Sequence, residues 1–300
     1  MGSSRSSLGK FLVERGRFAE AEPELTAAID IRRRLLPPGH VDLARSVEVL
    51  GACLIQRGQA AVAEPLLREA REAYLNSLPV LHVRCQASTR DLVMVLYTLG
   101  KDAEAIALDE EYRQLLRLAA TPTNGAGSNY LSWVGGFLHD SGRYAAAEPA
   151  FRALLENQLL RSPQVPLDSA FARHMLGRTL AAASRFDEAL LLLDAALWTF
   201  MRDIPPASPQ IASTRIVRGR CLTGLKRFAE AEESLLSAEE SIRGAGVPST
   251  HPMYLRVATD LAALYGAWSH VEPSAERAER AAMWRDRIPA TQAATAPAKP

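Results

Sequence analysis

Apolar residues recur along the chain at the spacing of one face of a helix. In the segment AFARHMLGRTLAAA, Phe171, Met175 and Leu176 stand at i, i+4 and i+5, and Leu180 follows. This segment, like LARSVEVLGACLIQR, predicts a helix of about four turns that ends at a glycine-type turn. A longer helical segment such as FAEAEPELTAAIDIRRRLL follows the turn, and a proline-rich break such as PPGH ends it.

This pattern of two helices returns with a period of 42 residues. The turn between the helices recurs at Gly16, Gly58, Gly100, Gly142, Ser184 and Lys226. The proline break recurs at Pro37, Pro79, Pro163 and Pro205. A glycine can adopt the left-handed conformation that closes a helix, so these positions predict the ends of the first helices.

Two further positions of the period indicate how the helices pack. One is always small, and it holds Ala21, Ala63, Ala105, Ala147, Ala189 and Ala231. The other is always leucine, and it holds Leu12, Leu54, Leu96, Leu138, Leu180 and Leu222. We interpret the alanines as a place where two helices cross closely, and the leucines as the core of each hairpin. Pro23, Pro65 and Pro149 fall in the second helices, which either begin late or bend there; we expect a mild bend.

The fold predicted from this pattern is all-α, a stack of helical hairpins in which each hairpin buries its apolar face against its neighbours. The repeats are expected at about residues 2–43, 44–85, 86–127, 128–169, 170–211, 212–253 and 254–287. Residues 288–300, rich in Ala and Pro, are expected to form a disordered tail.

The segment LGACLIQRGQAAVA, from Leu50 to Ala63, resembles the tetratricopeptide repeat. The longer period, with GRYAAAEPAFRALLE and LPPGHVDLA, is similar to the variety found in kinesin light chains and in many bacterial repeat proteins. The third repeat departs from this pattern at Asp109 and Tyr112, where Leu and Ala are expected. The last repeat resembles the one that closes such arrays behind bacterial serine/threonine kinases, although no kinase motif is present.

This resemblance implies a right-handed superhelical solenoid of about seven hairpins, with the first helices lining a concave groove. The groove stripe predicted on these helices includes Arg45, Glu48, Arg90, Met94, Tyr97, Asn129, Ser132, His139, Phe171, His174, Arg178 and Arg220. Because arginines outnumber acids there, we expect a mildly basic groove that takes an acidic or carboxylate-bearing peptide. The alternative is that the arginines are solvated and only keep the surface soluble.

The overall charge argues against several other partners. The net charge of +1 gives no field that favours nucleic acid or an anionic membrane, and charged or proline residues interrupt every apolar run. The chain starts without an apolar signal core, and its three cysteines form no CxxC pair. We therefore expect a cytoplasmic protein with reduced thiols, and a monomer is favoured.

Candidate catalytic and metal-binding residues have simpler interpretations. His40, His82 and His251 lie in equivalent breaks between repeats, which predicts helix-capping positions and not a metal site. Cys53 and Cys221 share a core position, whereas Cys85 is the thiol expected to be exposed. The segment GRCLTGLK approaches a phosphate loop but lacks its Lys and Ser/Thr, so no cofactor is expected.

Three functional hypotheses follow. The first is a non-catalytic scaffold for protein–protein interaction. The second is a regulatory or sensor region separated from a bacterial serine/threonine kinase or a transcriptional regulator. The third, an enzyme with its active site in the groove, is the weakest because no set of acid, base, nucleophile and oxyanion donor can be assembled.

Overall fold

A computed structural model describes residues 2–119, 127–161 and 166–288 of the 300-residue chain. The chain forms two compact units, residues 1–141 and 142–300. Every regular element in the described ranges is a helix, which confirms the predicted all-α hairpin fold. The tail predicted to be disordered lies, except for Ile288, outside the described residues.

The first unit contains seven of the described helices. They are α1 (Gly2–Glu14), α2 (Phe18–Leu35), α3 (Val41–Gln56), α4 (Ala60–Ser77), α5 (Val83–Thr98), α6 (Asp102–Ala119) and α7 (Ser128–Asp140). From α1 to α6 each helix packs on the next along the chain, and α3 and α5 also contact α1 and α3, respectively. Helix α7 packs on α5, so the first helices of consecutive hairpins touch, as stacked repeats require.

The second unit repeats this arrangement. Its described helices are α8 (Tyr144–Arg161), α9 (Pro166–Ala182), α10 (Phe186–Asp203), α11 (Pro209–Gly224), α12 (Phe228–Gly244), α13 (Pro252–Val271) and α14 (Ala275–Arg285). Each packs on the next, and α9, α11 and α13 also pack on one another in order. None of the helices in the described ranges is long and apolar enough to cross a lipid bilayer.

The turns between the helices adopt the predicted left-handed conformation. Gly16, Gly58, Gly100 and Gly142 have φ values of 71°, 72°, 72° and 75°. Ser184 and Lys226, which occupy the same position in later repeats, have φ values of 62° and 60°. A side chain with a Cβ is strained in this region, so these two turns carry a cost that the glycine turns do not.

The small and leucine positions lie where the period places them. All six alanines have no exposed surface, and the six leucines are at most 6% exposed. In four of the hairpins the first helix carries a glycine next to this alanine: a Cβ added at Gly177 would lie 3.3 Å from the Ala189 carbonyl oxygen and 2.9 Å from Cγ of Leu193. The same crowding with the equivalent leucine exists at Gly9, Gly51 and Gly219.

Three histidines begin helices, as their loop positions predict. The backbone N–H of Asp42 donates to Nδ1 of His40 at 3.1 Å, so the imidazole caps the first turn of α3. His82 and His251 cap α5 and α13 in the same way. A ring nitrogen here replaces the side-chain oxygen that usually satisfies a free N–H at a helix start.

The expected exposure of Cys85 is wrong. Cys85, like Cys53 and Cys221, is buried. Helix α5 packs on both α4 and α6, which covers the side of its first turn that carries this thiol. Burial raises the pKa of all three thiols, that of Cys221 to about 12.

The interior prolines lie within helices that begin early. Helices α2, α4 and α8 start at Phe18, Ala60 and Tyr144, so the alternative of a late start does not apply. The mild bend stays a prediction. The predicted repeat limits at residues 44, 86, 170, 212 and 254 fall in the first turns of α3, α5, α9, α11 and α13.

The third hairpin contains a buried polar cluster where the other repeats are apolar. Asp109 of α6, 3% exposed, takes the position of Leu25, Leu67 and Leu193. The Tyr130 hydroxyl donates to Oδ1 of Asp109 at 2.8 Å, and Nε of Arg113 donates to Oδ2 at 2.9 Å. These bonds satisfy both carboxylate oxygens, and the Tyr130 bond joins α7 to α6.

We expect glycine at the two strained turns to stabilise the protein. Lys226→Gly removes the left-handed strain of a residue with a Cβ and should raise the free energy of unfolding by about 1 kcal/mol. Gly58→Ala introduces that strain, and since an added Cβ there meets nothing within 4 Å, a loss of similar size reports the backbone alone. Urea unfolding followed by circular dichroism measures both. Lys226→Ala, which keeps the strain, should show no gain; an equal gain would contradict the explanation.

The Asp109 cluster should make stability depend on pH. Burial raises the pKa of Asp109 above the ordinary value of 3.8, against the opposing effect of Arg113 and the hydrogen bond from Tyr130; nearby Glu110 raises it further. The folded protein therefore holds this proton to a higher pH than the unfolded chain. The resulting contribution to stability is complete below the ordinary pKa and is lost as pH rises through the folded-state pKa.

Asp109→Asn tests this dependence. As pH rises from 4 to 7, the wild-type protein should lose stability relative to the variant. The buried carboxyl of Asp109 ionises in this range, whereas the amide of asparagine does not. Tyr130→Phe removes one donor from the carboxylate and should cost about 1–3 kcal/mol at pH 7. A wild-type-minus-variant difference that stays flat with pH would show that Asp109 keeps its ordinary pKa.

Candidate functional site

The candidate site lies on helices α5 and α7 of the first unit. Trp133 of α7 is 62% exposed, although the same chain buries most of its aromatic rings. It stands between two surface depressions of about 270 and 440 Å³. The first is lined by Val83, Gln86, Ala87, Arg90, Asn129, Tyr130 and Trp133, and the second by Met94, Ser132, Trp133, Gly136, Phe137, Asp140 and Ser141. We call these residues the α5–α7 surface.

Four of the predicted groove residues meet in the α5–α7 surface. Arg90 and Asn129 line the first depression, and Met94 and Ser132 line the second. They come from adjacent first helices, which pack directly on each other and so bring side chains 35 to 42 positions apart onto one face. Apolar walls with a few polar groups are typical of sites that bind other molecules.

The α5–α7 surface carries two charged side chains, Asp140 and a partly neutralised arginine. Arg90 stacks over the Trp133 ring at 5.4 Å from its centroid, and its Nη2 lies 2.6 Å from Oδ1 of Asp91. Burial raises the pKa of Asp91, and Arg90 opposes the shift. The carboxylate of the next residue thus helps to hold the guanidinium next to the indole and reduces the local positive charge.

Other predicted residues of the first unit lie in different environments. Arg45 is exposed on α3, and His139 is half-buried on α7. Tyr97 is 3% exposed, and its ring lies 6.3 Å from that of Phe137. Glu48 accepts a 2.8 Å hydrogen bond from the Tyr74 hydroxyl and lies 3.4 Å from Arg84; burial raises its pKa. Tyr97 and Glu48 therefore support the packing between helices more than they face solvent.

The predicted residues of the second unit are more dispersed. Phe171 is partly exposed on α9, with its ring 5.2 Å from that of Phe200. His174 is 8% exposed, and its Nδ1 lies 2.9 Å from the Thr214 hydroxyl of α11. Arg178 is half-buried on α9. His174 is thus a hydrogen-bonded side chain between two first helices.

Arg220 on α11 is paired with a residue that the sequence did not indicate. Its Nη2 lies 2.8 Å from Oδ2 of Asp260 on α13, and Nε also reaches Oδ1 at 3.2 Å. Burial raises the pKa of Asp260, with Arg220 opposing. This two-point ion pair joins consecutive first helices and offsets much of the positive charge expected there.

The most prominent residue of the α5–α7 surface, Trp133, was missed. The predicted groove stripe included its neighbour Ser132, and a shift of one residue moves a position by 100° around a helix. The period contained a signal, because the same position holds Val49, Asp91, Met175 and Val217 in other repeats, none of which is aromatic.

Within residues 2–119, 127–161 and 166–288, no three His, Cys, Asp or Glu side chains come close enough to hold a metal ion. Of the predicted groove residues, Glu48, His174 and Arg220 form hydrogen bonds with side chains of other helices.

Sequence models of the tetratricopeptide repeat match residues 1–76 and residues 138–209 and 174–246. A search of curated proteins finds no significant match. Among solved structures, the apo form of RapI matches with a TM-score of 0.58 and 11% identity, covering 95% of this chain and 76% of that one.

Two further structures are similar over most of their length. The C-terminal part of a TPR repeat-containing protein from Cytophaga hutchinsonii has a TM-score of 0.55 and 12% identity, with 92% of this chain and 98% of that one covered. BtubC (BKLC) from P. vanneervenii has a TM-score of 0.52 and 16% identity, with 84% and 95% covered. At such identities these likenesses concern the fold alone.

Proposed function

This chain belongs to the tetratricopeptide repeat family, and we propose that it is a non-catalytic scaffold that binds a protein or peptide partner. The observation that carries the proposal is the α5–α7 surface, where an exposed tryptophan separates two depressions. Exposed tryptophan is costly to leave in water and is enriched among residues that dominate binding energy at interfaces.

The partner is expected to be a segment that places apolar side chains on both sides of Trp133. The first depression is walled by Val83 and Tyr130, and the second by Met94 and Phe137, so each accepts an apolar group. Asn129 and Ser132 stand at the rim, where they can bond to a peptide backbone.

We also propose a preference for acidic partners, but a smaller one than the number of arginines suggests. Arg45 is exposed and Arg90 lies beside Trp133, but Asp91 neutralises part of the Arg90 charge. The same holds for Arg220 and Asp260 in the second unit. Discrimination between acidic and neutral peptides should therefore be modest, within about tenfold.

Binding of peptide libraries to the full chain tests the scaffold proposal. Two random 12-residue libraries, one enriched in Asp and Glu and one in Lys and Arg, are selected on the immobilised protein. Trp133→Ala should weaken enriched peptides by tenfold or more, which is typical of a residue that dominates an interface. Arg45→Gln should reduce the advantage of the acidic library.

The controls separate the two parts of the proposal. Val62→Ala, an exposed apolar residue on α4, should leave binding unchanged. Equal recovery of acidic and basic peptides would contradict the proposed preference for acidic partners, but not the proposal that the protein is a binding scaffold. Peptides that bind the Trp133→Ala variant as tightly as wild type would place the binding surface elsewhere.

A further inference from the structure

A second exposed tryptophan marks a different surface, on the second helices of the second unit. Trp198 of α10 is 65% exposed, and Met201, one turn further, is 56% exposed. They border a groove of about 350 Å³ between α10 and α12, whose floor is formed by Arg215 and Arg218 of α11. We call this the α10–α12 groove; its α12 side is lined by Glu233, Ser234 and Ser237.

The period shows that Trp198 is out of place for a solvated helix face. The same position holds Asp30, Glu72, Gln114, Glu156 and Glu240 in the other five repeats. All five are polar, as expected where a second helix faces water. Trp198 replaces that polar residue, and the Arg202 guanidinium, stacked 4.7 Å from its ring centroid, covers only one face of the indole.

Arg215 of the groove floor occupies a position that varies among the repeats. Three other first helices carry a buried uncharged side chain there (Val47, Thr89 and Leu131), and two carry an arginine (Arg5 and Arg173). Nη1 of Arg215 donates to the Ser237 carbonyl at 3.2 Å and to the Ser241 hydroxyl at 2.9 Å. Within the described part of the chain no carboxylate reaches ion-pair distance of Arg215, whereas its neighbour Arg218 is paired with Asp194 at 2.6 Å.

Arg215 is therefore a half-buried cation that has neutral acceptors but no anion. Burial lowers the pKa of this guanidinium, and Glu240 offsets the shift only through space. A charge partly removed from water is stabilised strongly by a carboxylate that meets it in the planar, two-point geometry of arginine. Asp194 and Glu233 also line the groove, but neither lies within ion-pair distance of Arg215. The groove thus presents an arginine without an ion-pair partner among the described residues, next to the exposed Trp198 and Met201.

We propose that the α10–α12 groove is a second docking site, for a protein segment that packs an apolar side chain on Trp198 and Met201 and places a carboxylate on Arg215. The groove holds a few side chains, so the segment is short. The site is separate from the α5–α7 surface and does not depend on the function proposed for it.

The test is a selection from a random 16-residue peptide library displayed on phage, with the full chain as bait. Enriched peptides are labelled, and their affinities for wild type and variants are measured by fluorescence anisotropy. Trp198→Glu installs the residue of three equivalent repeats, so the helix should keep its stability while peptides of this site lose tenfold or more in affinity. Thermal melts of both proteins check the folding.

Arg215→Val tests the charge requirement, since valine occupies the equivalent position at Val47. A peptide of this site should bind the wild-type protein more tightly than the same peptide with Gln in place of Glu. In the Arg215→Val protein the ratio of these two affinities should fall to near one. Val62→Ala is the control, because it removes an exposed apolar side chain that lies outside both surfaces and should leave these affinities unchanged.

Three outcomes would overturn the proposal. The first is that no enriched peptide loses affinity for the Trp198→Glu protein. The second is that the preference for Glu over Gln survives in Arg215→Val. The third is a concentration-dependent dimer in size-exclusion chromatography with light scattering that disappears in Trp198→Glu, which would make a second copy of the chain the occupant of this groove.

Discussion

The close approach of two helices within a hairpin is the contact on which the rest of the structure depends. In four hairpins a glycine of the first helix lies against a buried leucine of the second, next to a fully buried alanine. A Cβ at Gly51 would lie 2.8 Å from Cδ2 of Leu67, closer than carbon atoms pack. Because no space is left for a methyl group, this triplet fixes the distance between the helices and so the surface that each hairpin offers to the next.

In the third hairpin a different pair of residues replaces the contact of glycine and leucine. Val93 takes the glycine position and Asp109 takes the leucine position, so volume gained on one helix is given up on the other. The exchange brings a carboxylate into the core, and Tyr130 and Arg113 satisfy it. Tyr112, where the period has alanine in four of the six repeats, packs edge-on against Tyr130 at 4.8 Å. Buried polar clusters of this kind add little net stability, but they specify which side chains must meet.

The period predicted those features that depend only on position along the helix. The turns at Gly58 and Lys226, the buried alanines and the capping histidines follow from spacing, because each depends on the backbone or on an immediate neighbour. The exposure of the predicted groove residues was harder to predict. Tyr97 and His174 are buried, because a small rotation of a helix decides whether a side chain lies in the core or in solvent. The contacts of Arg90 with Trp133 and of Arg220 with Asp260 depend on side-chain conformations across helices, which spacing does not encode.

Departures from the period carry the functional information of the chain, and they are of two kinds. Asp109 departs inside the core, where its neighbours have changed with it, so the structure itself explains the residue. Trp133 and Trp198 depart on the surface, where arginines cover part of each ring but most of the indole remains in water. A solvated helix gains nothing from exposed aromatic area, since burial of that area is what stabilises. A partner that covers the indole would provide this stabilisation, and for that reason both surfaces are proposed as contacts with partners.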